Sequence, residues 1–327
     1  MELYRIVKRL IVLHTLPVLL FYLFSVTGGW AQQRTGTEEY RIVAVMTADY
    51  PEYREAYEGF IEELRTRGIG YTVELIESIG NNDIDENFVR RVRENNTDLI
   101  LAIGTRAADS ISKRISDIPI VFAMVMNPHF DTSDDLSYRN VTGVRFSIPV
   151  ETQFQVYKEI IPGLTNIGVI YTPEENEDVV SEAEQAARNL DLNLVKGNVN
   201  SEREVPQTVQ NFIRVVDIIW KIVDSAVSGR ETTEHIVLEG FRNNIPIVGL
   251  GENIVRAGAA LAVSADFRMV GMQSGVLAEK ILQGTSPAAL EIEYPREYIL
   301  YVNARIANGI GLRIPDSLEQ RIRVIYR

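Results

Sequence analysis

Cysteine is absent from all 327 residues, which excludes disulfides, thiolate metal sites and cysteine nucleophiles together. Histidine is nearly as scarce. Of the three, His14 lies in an apolar leader, while His129 and His235 have no His or carboxylate neighbour at metal-ligand spacing. No metal, no cofactor and no Ser-His-Asp chemistry is expected, so the chain does not read as an enzyme. Positive charge is in deficit, with 33 Lys and Arg against 45 Asp and Glu for a formal net charge of −12. Such a surface does not suit nucleic acid or anionic lipid. The phosphate-cradling signatures are missing too. No G-x-G-x-x-G follows the first predicted strand, where Met46-Thr47-Ala48-Asp49-Tyr50-Pro51 stands, and no P-loop occurs anywhere.

What is present begins with a leader. Arg5, Lys8 and Arg9 precede an apolar run over 10–26 that His14, Thr15 and Pro17 interrupt, and small residues Gly29 and Ala31 close it. These are the parts of a secretory signal peptide (1–31) cleaved after Ala31, and they predict a periplasmic protein. With no Cys at the cleavage site, a lipid tether is not expected. The run is also about long enough to remain as an uncleaved membrane anchor. Residues 32–39 form a polar spacer.

The hydrophobic content of 46% is that of a globular chain with a real core. The segment 98–108 organises it. Residues 98–103 read as a strand buried on both faces, Gly104 as the turn, and Thr105 as the cap of the next helix, which runs to about Ile115. Around this junction, strands at 42–46, 71–76 and 119–123 alternate with helices, one marked by Tyr53, Ala56, Tyr57, Phe60, Ile61 and Leu64 and another over 83–95. This is the rhythm of a parallel α/β sheet. The polar stretch 127–139 breaks the rhythm, and strand-like 140–146 is read as the chain crossing to a second lobe.

There the alternation restarts. Helices are predicted over 150–161, 175–189, about 203–214 and 229–243, and strands over 167–171, 192–195, 217–223, 245–250 and 260–264. Gly271, Ser274, Gly275 and Ala278 place small residues on a helix at 266–283 that can pack closely and belongs with the first lobe again. A strand at 298–302 and a short helix at 303–311 precede the tail. The expected division is 40–123 with 265–285 as the N-terminal lobe, and 124–264 with 286–327 as the C-terminal lobe.

Several runs carry a family resemblance: Asn140-Val141-Thr142-Gly143-Val144, Ile161-Pro162-Gly163-Leu164, and Gly168-Val169-Ile170-Tyr171-Thr172-Pro173-Glu174-Glu175-Asn176. Gly258-Ala259 with Ala265-Asp266-Phe267, the helix from Gly271 to Gly284, and Asn303 with Ala307, Gly311-Leu312 and Ile314-Pro315 complete the set. In this order and spacing, over about 40–325, the chain resembles the substrate-binding proteins of ABC transporters. The similarity is to those with the type I periplasmic-binding fold, in the subfamily of tryptophan- and tyrosine-type receptors. The resemblance implies two lobes, each a parallel sheet flanked by helices, joined by three crossovers and closing on a small ligand in the cleft between them. It further implies a monomer that delivers its ligand to a membrane permease, or a sensory module of the same fold that works with a membrane signalling partner.

In open α/β sheets the cleft lies at the carboxyl ends of strands. The candidates there are Thr47, Ala48, Asp49 and Tyr50, Gly104 and Thr105, and Met126 and Asn127 in the first lobe. Tyr171 and Asn176, Asp224 and Ser225, and Gly251 and Glu252 are those of the second. Asp49 or Tyr50 could fix an ammonium or stack on a ring, and the N–H groups at Thr105 could hold a carboxylate. Asp49, before Pro51, could equally cap a helix, and Tyr171 could be a packed aromatic. Asp224 is the foremost polar candidate. Two departures from the family pattern stand out: Asp224-Ser225-Ala226 where the family has an acidic residue followed by Asn-Thr, and Glu177-Asp178 where it has small hydroxyl residues. Trp30 is in the leader and Trp220 inside a strand, so stacking would come from Tyr50, Tyr171 or Phe267.

Overall fold

The computed structural model describes residues 39–79, 84–128, 130 and 138–326. The expected signal peptide 1–31, the spacer up to residue 38, His129 and the turn-rich residues 131–137 lie outside them.

The first sheet takes the order β2-β1-β3-β4-β5, all parallel, from β1 (Tyr40–Met46), β2 (Tyr71–Ile76), β3 (Leu99–Ile103), β4 (Ile120–Val125) and β5 (Val141–Arg145). Strands β3 and β4 are buried at every residue, as their unbroken apolar runs require of strands covered on both faces. Helices α1 (Pro51–Thr66), α2 (Glu86–Glu94) and α3 (Thr105–Ser112) connect them. Asp85 caps α2, accepting from the Phe88 N–H at 2.8 Å. Ser112 ends α3 a turn earlier than its periodicity predicts.

β5 overturns one expected boundary. The segment 140–146 does not begin the second lobe. It pairs with β4 from Ile120↔Val141 onward and so closes the first sheet. The chain crosses over only after Arg145. Burial explains this: Val141 to Val144 are all buried, and Asn140 is anchored by donating to the Ile115 and Ile118 carbonyls at 2.9 and 2.7 Å.

The second sheet takes the order β12-β11-β10-β9-β8-β6-β7. Its strands are β6 (Asn166–Tyr171), β7 (Asn193–Asn198), β8 (Ile218–Lys221), β9 (Ile247–Leu250), β10 (Leu261–Ala265), β11 (Tyr298–Asn303) and β12 (Ile322–Tyr326). All pairs are parallel except β10–β11, because β11 re-enters the lobe from the side of the cleft. Its helices include α4 (Val150–Ile160), α5 (Pro173–Asn189), α6 (Val205–Phe212), α7 (Ser225–Ser228), α8 (Arg230–Arg242) and α9 (Glu252–Arg256). Trp220 is core: it donates to Gln153 Oε1 at 3.0 Å and stands edge-on to Phe154, with centroids 5.2 Å apart.

Helix α10 (Phe267–Leu282) returns to the first lobe and lies along α1. Their backbones touch. A Cβ on Gly271 would stand 1.8 Å from the Ala56 carbonyl oxygen, and one on Gly59 2.1 Å from that of Arg268. Three chain passages therefore join the lobes, at 146–149, at 265–267 and just before β11. In the third, Glu293 bridges to Val144 as an added rung of the first sheet. Buried Gln273 on α10 fastens the same segment, donating to the Tyr294 carbonyl at 2.9 Å. Two short elements close the second lobe, α11 (Ala304–Gly309) and α12 (Asp316–Glu319).

Candidate functional site

Strands β1–β5 of the first sheet and β6–β10 of the second end on the side where the chain passes between the lobes, and the loops that follow them carry the candidate residues. On the first lobe, Thr47 is built into the floor. Its N–H donates to the Ile103 carbonyl at 2.9 Å and its Oγ1 accepts from the Ala107 N–H at 3.1 Å. Thr105 therefore does not cap α3. Gly104 occupies the cap position at φ 90°, and the side chain of Thr47 serves the first turn instead. Only glycine fits there, since a Cβ would meet Thr47 Oγ1 at 2.6 Å and the Tyr53 ring at 2.9 Å. Thr105 itself is exposed, and Ala48 is half-buried.

Tyr50, at the start of α1, is 57% exposed and leans on Tyr53 with ring centroids 5.6 Å apart. Burial pushes the Tyr53 hydroxyl above its ordinary range. Asp49 is not a cap. It faces solvent as the ion-pair partner of Arg54, whose hydrogen bond holds the carboxyl below the usual aspartate range, and Arg54 also reaches Glu77 at 3.3 Å.

β4 ends in an irregularity. Met124, buried, has φ 61°, and the pairing with β5 slips between Ala123 and Val125. Left-handed backbone at a bulky residue is unusual and is held here by the surrounding core. The slip lies just before Met126 and Asn127. The Met126 carbonyl accepts from Ser147 Oγ at 3.0 Å, tying this rim to the first crossing, and Asn127 is exposed.

The second rim is organised by Asp224, which is 2% exposed. Its Oδ2 accepts from the Thr172 N–H at 2.7 Å and from Asn176 Nδ2 at 2.8 Å. Its Oδ1 accepts from Thr172 Oγ1 at 3.1 Å and from the Ala226 N–H at 2.9 Å. Four donors saturate the carboxylate, so it braces the loops after β6 and β8. Asn176 belongs to the same brace and sits at a kink in α5, with φ −133°. Ser225 is held by Glu175, to which its N–H donates at 2.9 Å.

Tyr171 is not available for stacking. It is 1% exposed, and burial together with its hydrogen bond to Glu177 Oε2 at 2.8 Å pushes the hydroxyl up to about 12. Phe267 is likewise packed against the core at the start of α10. Gly251 turns into α9 at φ 74°, and Glu252 pairs with Arg256 at 2.6 Å.

Two residues join the rim without a signal that sequence reasoning could use. Val223, 60% exposed, stands between buried Ile222 and Asp224. Lys221 ends β8, where burial lowers its ammonium against the opposing pull of Asp224. Of the residues in these strand-end loops, Tyr50, Thr105 and Asn127 of one lobe and Val223 of the other are thus exposed, and Glu252 is half-buried. Among the described residues, no group of three or more His, Cys, Asp or Glu is placed to hold a metal ion. No helix among them is long and apolar enough to cross a membrane.

Residues 42–323 match the profile of the family described as ABC transporter substrate binding protein. A tyrosine-binding protein of Clostridioides difficile is 24% identical over 275 residues, covering 81% of this chain and 79% of that one. The ligand-free, open structure of a substrate binding protein with adhesive properties from Clostridium difficile superposes with a TM-score of 0.74 at 21% identity, over 88% of this chain and all of that one, 100%. An ABC domain from Streptococcus pneumonia in complex with L-Trp gives 0.58 at 22% identity, over 88% and 100%.

Proposed function

Since the chain belongs to the ABC transporter substrate-binding protein family, we propose that it is the extracytoplasmic solute-binding component of an importer, which captures an amino acid or related small molecule and hands it to a membrane permease. The observation that carries this reading is the pairing of two rims at the carboxyl ends of two separate sheets, joined by three chain passages. Such an arrangement offers a half-site on each lobe and completes the site when the lobes approach. Ligand binding then shifts a pre-existing balance between open and closed forms by its extra affinity for the closed one.

The exposed groups set the chemistry. Tyr50 and Val223 offer apolar contact from opposite lobes, while Thr105, Asn127 and Glu252 offer polar contact. An amphipathic ligand such as an amino acid suits this mixture. The tyrosine-binding relative and the L-Trp complex support that class. We take the protein to act as a monomer in the periplasm.

A thermal-shift screen of the purified chain against amino acids, purines, short peptides and small organic acids tests the proposal. A ligand at about 100 times its dissociation constant adds about 2.7 kcal/mol of stability. Tyr50→Ala should melt like the parent without ligand and lose most of the ligand shift. No shift with any class overturns the reading.

A further inference from the structure

Arg323 occupies an irregular place in the fold. It lies in β12 at the edge of the second sheet, where Leu300 pairs with Ile322 but Tyr301 pairs with Val324, so Arg323 is the extra residue of a bulge. A bulge turns a side chain out of the ladder and re-aims it. Here the guanidinium meets Asp266 Oδ2 at 2.6 Å. Asp266 is itself the cap of α10, accepting from the Met269 N–H at 3.2 Å, and it stands in the second passage between the lobes.

Across that passage lies Glu55. The Ala56 carbonyl touches Gly271, and Arg268 pairs with Glu58 at 3.5 Å, so the exposed Glu55 carboxylate flanks the beginning of α10 from the first lobe. The charges of Arg323 and Asp266 both act on it, yet among the described residues the ion pairs of Arg323 include Asp266 and not Glu55. Tyr301 marks the same meeting point from the second lobe. Burial pushes its hydroxyl up to about 12, with Glu252 of its own lobe and Glu55 and Glu52 of the other adding to the effect.

We propose that Arg323 is a latch between the lobes, keeping Asp266 as its partner and taking Glu55 as a second carboxylate when the cleft narrows. The planar guanidinium presents donors in a fork and can serve two carboxylates at once. Closure brings Glu52 and Glu55, together with Asp266 at the α10 cap, toward Glu252, and without a cation between them like charges would oppose the movement. Arg323 thereby tunes the open–closed balance, and through it the ligand affinity, without touching ligand.

The inference rests on the two-lobed capture reading, and one experiment separates their failures. The cysteine-free chain accepts spin labels at Glu86→Cys and Arg203→Cys, exposed positions on the edges of the two lobes. Pulsed spin-resonance distances are compared in the otherwise unaltered chain, in Glu55→Gln, in Arg323→Gln and in the double variant, with and without L-tyrosine or L-tryptophan. A short-distance population that falls about fivefold in each single variant, and no further in the double, is expected. Arg323→Lys should restore part of it, which a merely structural loss would not allow. A short-distance population that the variants leave unchanged overturns the latch and leaves lobe closure standing. One fixed distance in every sample overturns lobe closure, and the latch with it.

Discussion

The carboxylate of Asp224 takes the backbone N–H of Thr172 at 2.7 Å, across 52 residues of chain, and so fastens the loop after β6 to the loop after β8. The second rim is therefore a braced structure before any ligand arrives. Preorganisation of this kind reduces the ordering cost of binding.

Asp224→Ala removes the acceptor from four donors, two of them backbone N–H groups. The expected loss is about 3 kcal/mol in urea unfolding, because buried donors left without partners bear their full desolvation cost. Asp224→Asn should retain part of the stability, since one amide oxygen still accepts. A destabilisation under about 0.5 kcal/mol for the alanine variant would contradict the bracing role.

Gly104→Ala places a methyl group 2.6 Å from Thr47 Oγ1 in a backbone at φ 90°. Both the strain and the clash act, for about 2 kcal/mol of lost stability and a weakened first rim. The measurement is the urea midpoint with and without ligand. A shift in ligand affinity alone, with the midpoint unmoved, would mean that the rim tolerates the side chain.

Gly271→Val drives a side chain into the Ala56 carbonyl, which a Cβ would approach to 1.8 Å. Because this is backbone, no rotamer change relieves it. The expected cost is about 3 kcal/mol or more, seen as a lowered urea midpoint or as insoluble protein. Gly311→Ala, with open space around its Cβ position but φ 76°, should cost less.

Asp49 titrates below ordinary aspartate because Arg54 hydrogen-bonds its charged form. A depressed folded value means the pair's contribution is present above the unfolded carboxylate range and is lost as pH falls through the folded value. Carboxyl NMR of Arg54→Leu should return Asp49 toward the ordinary range, and high salt should move it the same way. An Asp49 titration indifferent to Arg54 would remove the pair from the first rim.

Where the sequence was read correctly, the signal was local. The buried runs of β1, β3 and β4 and the apolar face of α1 announce themselves within a few residues, and the small residues of α10 announce close packing before its partner is known. Where the reading departed, the deciding contact was distant. β5 looked like the first strand of a new lobe because the polar stretch before it breaks the alternation, yet its ladder is with β4. Helix α9, helix α12 and strand β12 are too short to show a period of their own.

The candidate site divides along the same line. The residues at strand ends followed from chain order alone, because parallel strands must all deliver their loops to one edge. Which of them stay exposed did not. Tyr171 looked like a stacking surface and lies in the core on Glu177, and Asp224 looked like a ligand group and is saturated by its own loops. Conversely, Val223 reads as the last apolar residue of a strand and is exposed.

By itself, then, the sequence determined a cysteine-free α/β chain of two repeated plans whose loops gather at sheet edges, since composition and periodicity are properties of neighbouring residues. Only the tertiary structure decided which polar groups are spent on each other and which stay open, and where the chain passes between lobes. Those outcomes depend on hydrogen bonds, backbone contacts and charges joining residues tens to hundreds of positions apart, such as Thr172 with Asp224 and Ala56 with Gly271.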